Sequence, residues 1–538
     1  MKMKQTLLTV LASLLTVIAM PAQDLKSGPY KLPYKNTYVK NVFVAENEFR
    51  TAKPQKIQPE SFKQAVKILP EPFWDGHEDE IKMYWDAWKT AIGNIKQPAE
   101  GSGFVSPYLD VAYNGNIFMW DTSFMMLFAR YGYRYFPFLK SFDNFYAKQH
   151  QDGFICREIR ADGSDCFERY DPTSTGPNLL PWVELEYYRQ FGDIERLHKV
   201  FPALCAYARW WKLNRTWKDG TYWSSGWGTG MDNMPRVRSG YNPIFSNGNM
   251  VWLDTNLQQY LVNDCLLKIG FFIERWQEIE ELEDEMKHLK EYVNDNLWSD
   301  EDRFLHDQYD DGTLCPTKGI GAFWALQTDI LDKDRIDGMI SHLTDTAEFN
   351  RPHRVPSLSA DHPKYNPLGR YWQGGVWPGT NYMVIDGLWK NGYHDLADEI
   401  ADNHYKSVLE VWKNTGTFWE YYAPESIEPG FMARKDFVGW TGLPPIAVFI
   451  EYILGIKSDY SENTVTWDIR QTEAHGISRY PFGPEGTIGL KVAKRSSGSE
   501  LPEVTVTTDT PFNLVVRYGY NLIIKAHVEK SGKVRFNS

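Results

Sequence analysis

Cysteine is scarce in this chain, with five in 538 residues. That number is too low for a disulfide scaffold, so a sizeable hydrophobic core must hold the fold together. Basic residues are also in deficit: 58 lysines and arginines face 70 acidic residues, which gives a formal net charge of −12. An acidic chain is a poor partner for nucleic acid or for anionic membrane surfaces, and we expect no nucleic acid among its ligands.

Patterns for metals and nucleotides are missing as well. His77-Glu78-Asp79-Glu80 lacks the second histidine of a zinc-protease helix, and Gly101-Ser102-Gly103 lacks the lysine of a phosphate-binding loop. No two cysteines have the spacing of a zinc site. We therefore predict neither a metal nor another cofactor.

Long apolar runs are limited to two places. The run at 7–19 follows two lysines and precedes small residues that end at Ala22, which is the order of a signal peptide. The run at 444–456 is interrupted by Glu451, and both are shorter than the ~20 residues of a membrane span. We predict a cleaved signal peptide at 1–22, a periplasmic or secreted protein, and no stable membrane anchor.

Cys156 and Cys166 lie symmetrically about Ala161, around an Ala-Asp-Gly turn. In an oxidising compartment they could form a cross-strand disulfide, or they could be two small apolar residues of a hairpin. The sequence leaves both interpretations open, and it gives no indication of an oligomeric state.

Apolar residues recur at helical spacing through the middle of the chain. Asp79 to Ile92 carries one apolar stripe, and a second stripe from Ile194 to Trp211 follows Asp193, a candidate N-cap. Most helical segments also come in pairs that turn at a glycine. These segments are 120–131, 180–191, 251–269 and 376–391, with turns at Gly132, Gly192, Gly270 and Gly392, and 320–327 with 332–343, which turn without one.

Five pairs, together with a sixth formed by the helices at 79–92 and 435–454, predict a mainly α fold, an (α/α)6 toroid. An irregular helical bundle is the alternative. We place the toroid at 76–456, after an extended arm at 23–75. Short β-branched runs after Gly455 predict a small C-terminal β domain at 457–538.

The loops that join one pair to the next are long, and a toroid places all of them on one face. They span 95–119, 151–177, 214–249, 299–316, 346–375 and 413–434. Function concentrates in such loops when a rigid scaffold holds them. Two carboxylates, Asp232 and Glu420, fall in two of these loops, and we therefore expect both at the same mouth.

Asp232 lies in a glycine-rich loop beside Trp227, Met231 and Met234, an apolar setting that would raise its pKa. Alternatively, it is a turn residue before Pro235. Glu420 lies between Trp419 and Tyr421, and Glu425 is an alternative base five residues later. One acid that gives a proton and a second group that activates water would suit the hydrolysis of a glycosidic bond.

The remaining candidates combine flat aromatic rings with hydrogen-bonding groups, as sugar pockets do. The chain has 21 Trp, 31 Tyr and 29 Phe, and many of them must be core residues. We expect Arg236 to hold sugar hydroxyls or the opposing carboxylate. The predicted substrate-binding residues are Trp120, Asp121, Arg157, Trp227, Arg236, Trp372, Gln373, Trp377 and Trp419.

Several of these segments together resemble glycoside hydrolase family 63. They are Gly230 to Arg236, Trp120-Asp121, Trp372 to Pro378 and Trp419-Glu420. The resemblance covers roughly 75–455 and extends to the related trehalases. It implies an inverting α-glycosidase in which Asp232 is the general acid and Glu420 the general base.

The implied substrate is a small saccharide or oligosaccharide: an α-glucoside first, then an α-mannoside or a glycosylglycerate, with α,α-trehalose as an alternative. The chain departs from the larger family members in lacking a substantial N-terminal β-sandwich.

Two other classes of function remain open. Helical toroids also host sugar epimerases and polysaccharide lyases, which would use His or Tyr as proton carriers, and His353 and His362 lie in one inter-pair loop. A non-catalytic glycan-binding protein would keep the aromatic groove without working acids.

Overall fold

Six inner helices, surrounded by six outer helices, form the main body of the protein. The computed structural model describes residues 36–111 and 114–536, so the predicted signal peptide at 1–22 lies outside the described residues. The inner helices are Met119–Ala129, Leu180–Phe191, Leu253–Phe272, Ile320–Gln327, Pro378–Lys390 and Leu443–Ile453. The outer helices are Glu78–Gly93, Ser141–Ala147, Ile194–Asn214, Glu281–Tyr292, Lys333–Thr344 and His394–Thr415.

The inner helices close into a ring. Each packs on the next one in chain order, and the sixth, Leu443–Ile453, packs back on the first, Met119–Ala129. The first outer helix, Glu78–Gly93, also packs on the sixth inner helix and completes the sixth pair. In Met119–Ala129 every residue but Asp121 is buried, as expected of a helix enclosed on all sides. The predicted (α/α)6 toroid is confirmed.

Local sequence signals account for several helix boundaries. Gly192 ends its helix in the left-handed conformation at φ +67°, and the Asp193 carboxylate caps the next helix by accepting from the Arg196 amide. Gly270, by contrast, is not a turn, because its helix continues to Phe272. A Cβ at Gly270 would lie 3.0 Å from the Trp276 Cα, so the glycine allows close packing of the returning chain.

The last inner helix begins later than predicted. Lys435 pairs with Trp419 in an isolated bridge, and a short 3₁₀ turn at Trp440–Gly442 leads into Leu443–Ile453, which is wound as a π-helix. Residues 435–439 therefore belong to the preceding loop.

A two-sheet β domain follows the ring. The four-stranded sheet has the order Ile456–Asp459, Thr464–Ile469, Phe512–Tyr518 and Leu522–Val528. The five-stranded sheet has the order Glu71–Trp74, His475–Phe482, Gly486–Val492, Val504–Thr508 and Gly532–Lys533.

We expected the segment before the ring to be an extended arm, but part of it is folded. It contains the short 3₁₀ turns Val42–Ala45 and Glu48–Thr51, the helix Phe62–Ile68 and the strand Glu71–Trp74. That strand pairs antiparallel with His475–Phe482, with Glu71 opposite Ser478. The N-terminal segment thus contributes an edge strand to the C-terminal domain. None of the helices in the described ranges has the length and apolar content to cross a membrane.

A buried polar cluster fastens the ring where it closes. Glu451 of the sixth inner helix accepts hydrogen bonds from Arg130 at 2.7 Å, from Tyr131 at 2.6 Å and from Tyr382 at 2.8 Å. Arg130 and Tyr131 follow the first inner helix, and Tyr382 belongs to the fifth. Because a buried ion pair that loses one partner leaves an uncompensated charge, this cluster depends on Glu451.

Replacing Glu451 by alanine should lower the free energy of unfolding by about 3–5 kcal/mol, since the buried Arg130 guanidinium would lose its closest carboxylate and keep only that of Glu186 at 3.4 Å. Thermal and denaturant unfolding would measure the loss. Glu410→Ala, on the surface of an outer helix, is the control and should change stability by less than about 0.5 kcal/mol. Equal stability of the two variants would contradict the role assigned to Glu451.

Candidate active site

A cavity of about 300 Å³ opens at the mouth of the ring. Four carboxyl groups, two arginines and six aromatic rings contribute to its lining. The lining residues are Phe118, Met119, Trp120, Asp121, Arg157, Glu158, Phe167, Gly176, Pro177, Trp227, Gly230, Asp232, Tyr371, Glu420, Arg434 and Trp440. Asp232 and Glu420, distant in sequence, therefore face one cavity, together with the predicted residues Trp120, Asp121, Arg157 and Trp227.

A small β-ladder fixes one side of the cavity. The strand Ile117–Phe118 pairs with Glu158–Ile159, and the Met119 amide donates to the Arg157 carbonyl at 2.8 Å. The first inner helix begins at this point, so Asp121 lies in its first turn. Burial, followed by the nearby charge of Glu420, raises the pKa of Asp121 well above its usual range. These effects favour the neutral acid at position 121.

The loop with Asp232 folds for local reasons. The Ser225 hydroxyl accepts from the Gly228 amide at 3.0 Å and caps a single helical turn, Gly226–Thr229. Gly230 then adopts φ +74°, and a Cβ there would lie 3.1 Å from the Trp120 indole nitrogen. Glycine is required at this position both for its backbone conformation and for the close approach of Trp120.

Asp232 is half-buried, and burial of its carboxyl group raises its pKa to about 6. The charge of Arg157 acts in the opposite direction, as do hydrogen bonds from Tyr371 and Trp227. The Arg157 guanidinium is itself held in place, since it stacks 4.4 Å from the Phe167 ring centre and donates to the Thr173 carbonyl at 2.7 Å.

Glu420 is held by the segment that follows it. Its amide donates to the Arg434 carbonyl at 2.9 Å, and the Trp440 indole donates to the Glu420 carbonyl at 2.7 Å. Burial raises the pKa of Glu420 to about 7, with a smaller contribution from the charge of Asp232, while Arg434 acts against the rise. Both carboxyl groups can therefore exchange a proton near neutral pH.

Tyr371 adopts a left-handed backbone conformation at φ +58°, which is rare for a bulky side chain. Neighbouring hydrogen bonds hold it there: its amide donates to Gly369 at 3.0 Å and its carbonyl accepts from Gly375 at 3.0 Å. Such a conformation costs about 1–3 kcal/mol and is typical of functional sites. The strained backbone directs the side chain towards Asp232.

Ten of the sixteen lining residues are not among the site residues predicted from the sequence, and Tyr371, Arg434, Trp440 and Phe167 are four of them. Tyr371 directly precedes the Trp372-Gln373 motif, and that position is the one signal that could have indicated it. Nothing in the local pattern distinguishes Arg434 or Trp440, because they reach the cavity through a loop that turns back on Glu420.

Four predicted residues lie outside the cavity. Trp372 and Trp377 are buried and stack face to face at 4.1 Å, and Trp377 also stacks on Tyr421 at 4.4 Å. Gln373 donates to the Asn233 carbonyl at 3.1 Å, and the Trp419 indole donates to the Thr415 hydroxyl at 3.0 Å. Trp372, Trp377 and Gln373 support the loops around the cavity from behind, and Trp419 lies against the end of an outer helix.

Arg236 also lies away from the cavity. It is buried, donates to Asp254 at 3.0 Å and pairs with Asp307 at 3.2 Å. Our expectation that it holds sugar hydroxyls or Glu420 does not fit this placement. Asp254 of the third inner helix and Asp307 of the loop at 299–316 engage its guanidinium, so Arg236 anchors the loop of Asp232 to the ring.

The alternative proton carriers are placed elsewhere. Glu425 accepts from Arg351 at 2.7 Å and from Tyr365 at 2.6 Å, and these bonds lower its pKa. His353 is buried against His404, and His362 is not among the lining residues.

The described cysteines, Cys156 and Cys166 included, are free thiols. In the described ranges no group of three or more His, Cys, Asp or Glu residues could hold a metal ion.

A ring of six helix pairs with an acidic, aromatic cavity at its mouth defines a glycoside hydrolase of the six-hairpin class. Residues 133–436 match the mannosylglycerate hydrolase MGH1-like glycoside hydrolase domain, and the chain belongs to this family. The resemblance to glycoside hydrolase family 63 is thereby confirmed.

Relatives with related activities support this assignment. A probable mannosyl-oligosaccharide glucosidase of Schizosaccharomyces pombe is 23% identical over 299 residues, which are 48% of this chain and 36% of that protein. A mannosylglycerate hydrolase of Rubrobacter radiotolerans is 28% identical over 170 residues, 30% of this chain and 35% of that protein. The chain thus matches only about a third of the length of either relative.

Among solved structures, the family 63 mannosylglycerate hydrolase of Thermus thermophilus, in complex with glucose, superposes with a TM-score of 0.55. It is 18% identical, and the match covers 68% of this chain and 99% of that one. At this identity the likeness concerns the fold alone.

The two kinds of tryptophan at the site should respond differently to truncation. Trp377→Ala opens a hole in a buried stack and should lower the free energy of unfolding by about 3–5 kcal/mol. Trp227→Ala removes a half-buried ring that faces the cavity, and should cost less than about 1.5 kcal/mol. Thermal unfolding compares the two variants; a larger loss for Trp227→Ala would contradict the assignment.

Proposed function

We propose that the protein hydrolyses an α-linked glycoside with inversion of the anomeric centre, with Asp232 as general acid and Glu420 as general base. One observation carries the proposal. Asp232 and Glu420 come from separate loops, line the same buried cavity, and have pKa values of about 6 and about 7. Carboxyl groups that titrate near neutrality can exchange protons with a substrate.

In this mechanism Asp232 donates its proton to the oxygen of the leaving group while the glycosidic bond breaks. Glu420 removes a proton from a water molecule that attacks the opposite face of the sugar, so the product has the inverted configuration. The two carboxyl groups of an inverting pair stand roughly 6.5–9.5 Å apart, which leaves room for that water. A neutral Asp121 would add a hydrogen-bond donor for a sugar hydroxyl.

The names of the relatives support α-glucosides as the first substrates to test, followed by α-mannosides and glycosylglycerates. α,α-Trehalose is the alternative. We also propose, from the signal-peptide pattern, that the protein acts in the periplasm or outside the cell. The lining residues include Tyr371 but no histidine, so His353 and His362, the histidines suggested for an epimerase or a lyase, do not reach the cavity.

Asp232→Asn and Glu420→Gln should each lower kcat by about 10²–10⁴-fold without loss of folding, because general acid and general base catalysis contribute factors of that size. Purified protein would be screened against α-linked disaccharides and simple α-glycosides, with the released anomer followed by NMR before it mutarotates. Glu425→Gln is the matched control and should keep nearly full activity. Release of the α-anomer first would exclude the inverting mechanism.

The pH profile tests the protonation states. Turnover needs Asp232 protonated and Glu420 ionised, whereas both groups are protonated below pH about 6 and both are ionised above about 7. We therefore expect kcat/KM to follow a bell with its maximum between these two values. The two apparent pKa values that define the bell belong to the pair of interacting groups, and neither is assigned to one residue.

Tyr371→Phe should move this maximum to higher pH, since it removes a hydrogen bond that lowers the pKa of Asp232. Tyr365→Phe, which removes a hydrogen bond to Glu425 instead, should leave the maximum in place. An identical shift in both variants would contradict the coupling between Tyr371 and Asp232.

A further inference from the structure

Three loops at the mouth form one continuous wall: the first is 214–249, the second 346–375 and the third 413–434. The Trp227 amide donates to the Ile244 carbonyl at 3.1 Å and binds two parts of the first loop together. The Trp372 amide donates to the Asn233 side chain at 2.8 Å and joins the second loop to the first. These hydrogen bonds from backbone amides join the segments that contribute Asp232 and Tyr371 into a single surface.

The third loop is attached in the same way. The Phe431 amide donates to the Leu368 carbonyl at 2.8 Å, and the Tyr421 hydroxyl donates to the Phe431 carbonyl at 2.6 Å. This loop contributes Glu420 and Arg434 to the cavity. The wall therefore includes both proposed catalytic groups.

Each of the three loops presents a large apolar side chain to solvent. Phe245 is 48% exposed, Leu368 51%, Phe431 49% and Met432 83%. We call these four residues the apolar rim. Exposed apolar side chains grouped around a cleft are typical of surfaces that bind a ligand. Met432 in addition has a left-handed backbone at φ +65°, which is uncommon for a side chain of this size.

The apolar rim begins where the cavity ends. The Phe245 ring packs edge-on against Trp227, with ring centres 4.9 Å apart, and Trp227 lines the cavity. At the other end of the rim, Met432 stands two residues before Arg434, which also lines it. A molecule too large for a cavity of about 300 Å³ would extend from it onto this surface.

A second groove at the mouth has a different character. Beyond Phe167 a groove continues between charged groups, among them His150, Arg160, Asp165 and Arg169. Hydrogen bonds join several of these groups, for example His150 with Asp165 at 2.7 Å. The charged groove therefore differs in character from the apolar rim on the three loops.

We propose that the apolar rim binds the leaving group of the substrate and selects leaving groups that present a hydrophobic face. The inference rests on the proposed function, because it assigns a role to the surface next to the proposed catalytic carboxyls. Phenylalanine rings and a flexible methionine suit either an alkyl or aryl substituent or the C–H face of a further sugar ring. Both kinds of leaving group would present an apolar surface to the rim.

Methyl and hexyl α-glycosides of the sugar that the enzyme releases provide the test. Both release unactivated primary alcohols, so a difference in kcat/KM reports contacts with the leaving group. We expect kcat/KM for the hexyl glycoside to exceed that for the methyl glycoside at least about tenfold, since methylene groups in apolar contact each contribute a several-fold preference. Phe245→Ala and Phe431→Ala should each reduce this ratio at least about threefold.

Phe271→Ala is the matched control, because Phe271 is an exposed phenylalanine at the end of the helix Leu253–Phe272, away from the mouth. This variant should leave the ratio of the two kcat/KM values, hexyl glycoside over methyl glycoside, unchanged. A trisaccharide with the same terminal sugar separates the two kinds of leaving group: a kcat/KM above that of the hexyl glycoside, and lowered by Phe431→Ala, identifies sugar faces as the occupant.

Equal kcat/KM for methyl and hexyl glycosides and for the trisaccharide would overturn the inference while leaving glycoside hydrolysis intact. A ratio that Phe245→Ala and Phe431→Ala leave unchanged would overturn it as well. Absence of hydrolysis for every α-glycoside would instead reject the proposed function itself.

Discussion

The contact that closes the ring is the constraint on which the rest of the structure depends. The sixth inner helix packs against the first, and the Glu451 cluster fixes their relative position. This closure brings Asp121, at the start of the first inner helix, to the loop with Glu420, 299 positions later in the sequence. Without it the residues that line the cavity would belong to separate surfaces.

The chemistry of the cavity follows from desolvation more than from any single charge. Burial is the largest cause of the raised pKa values of Asp121, Asp232 and Glu420, and the nearby arginines only partly oppose it. The side chains packed around the mouth of the ring supply that burial. The same packing supports Tyr371 in a conformation that an isolated loop would not keep.

Much of the architecture was predictable, because periodicity and capping residues are local properties. The pairing of helices, the N-cap at Asp193 and the turn at Gly192 could all be derived from spacing alone. The prediction of a turn at Gly270 was wrong, because the sequence does not distinguish a glycine that permits close packing from a glycine that ends a helix.

The candidate site was predictable only in part. Loop position grouped Asp232 with Glu420, but it could not separate the tryptophans that face the cavity from those that stack behind it. Trp227 and Trp377 lie in similar aromatic clusters of the sequence, and only the packing of Trp377 between Trp372 and Tyr421 shows the difference. The prediction for Arg236 was wrong because its partners, Asp254 on the third inner helix and Asp307 in the following inter-pair loop, are distant from it in sequence.

The strand Glu71–Trp74 has a consequence for how the protein acquires its structure. It immediately precedes the first helix of the ring, yet its partner strand His475–Phe482 is made about 400 residues later. Contacts of such long sequence separation slow folding, since a large loop must close before they form. A growing chain therefore cannot pair this strand until the final domain has emerged, so the N-terminal segment reaches its place late in the formation of the structure.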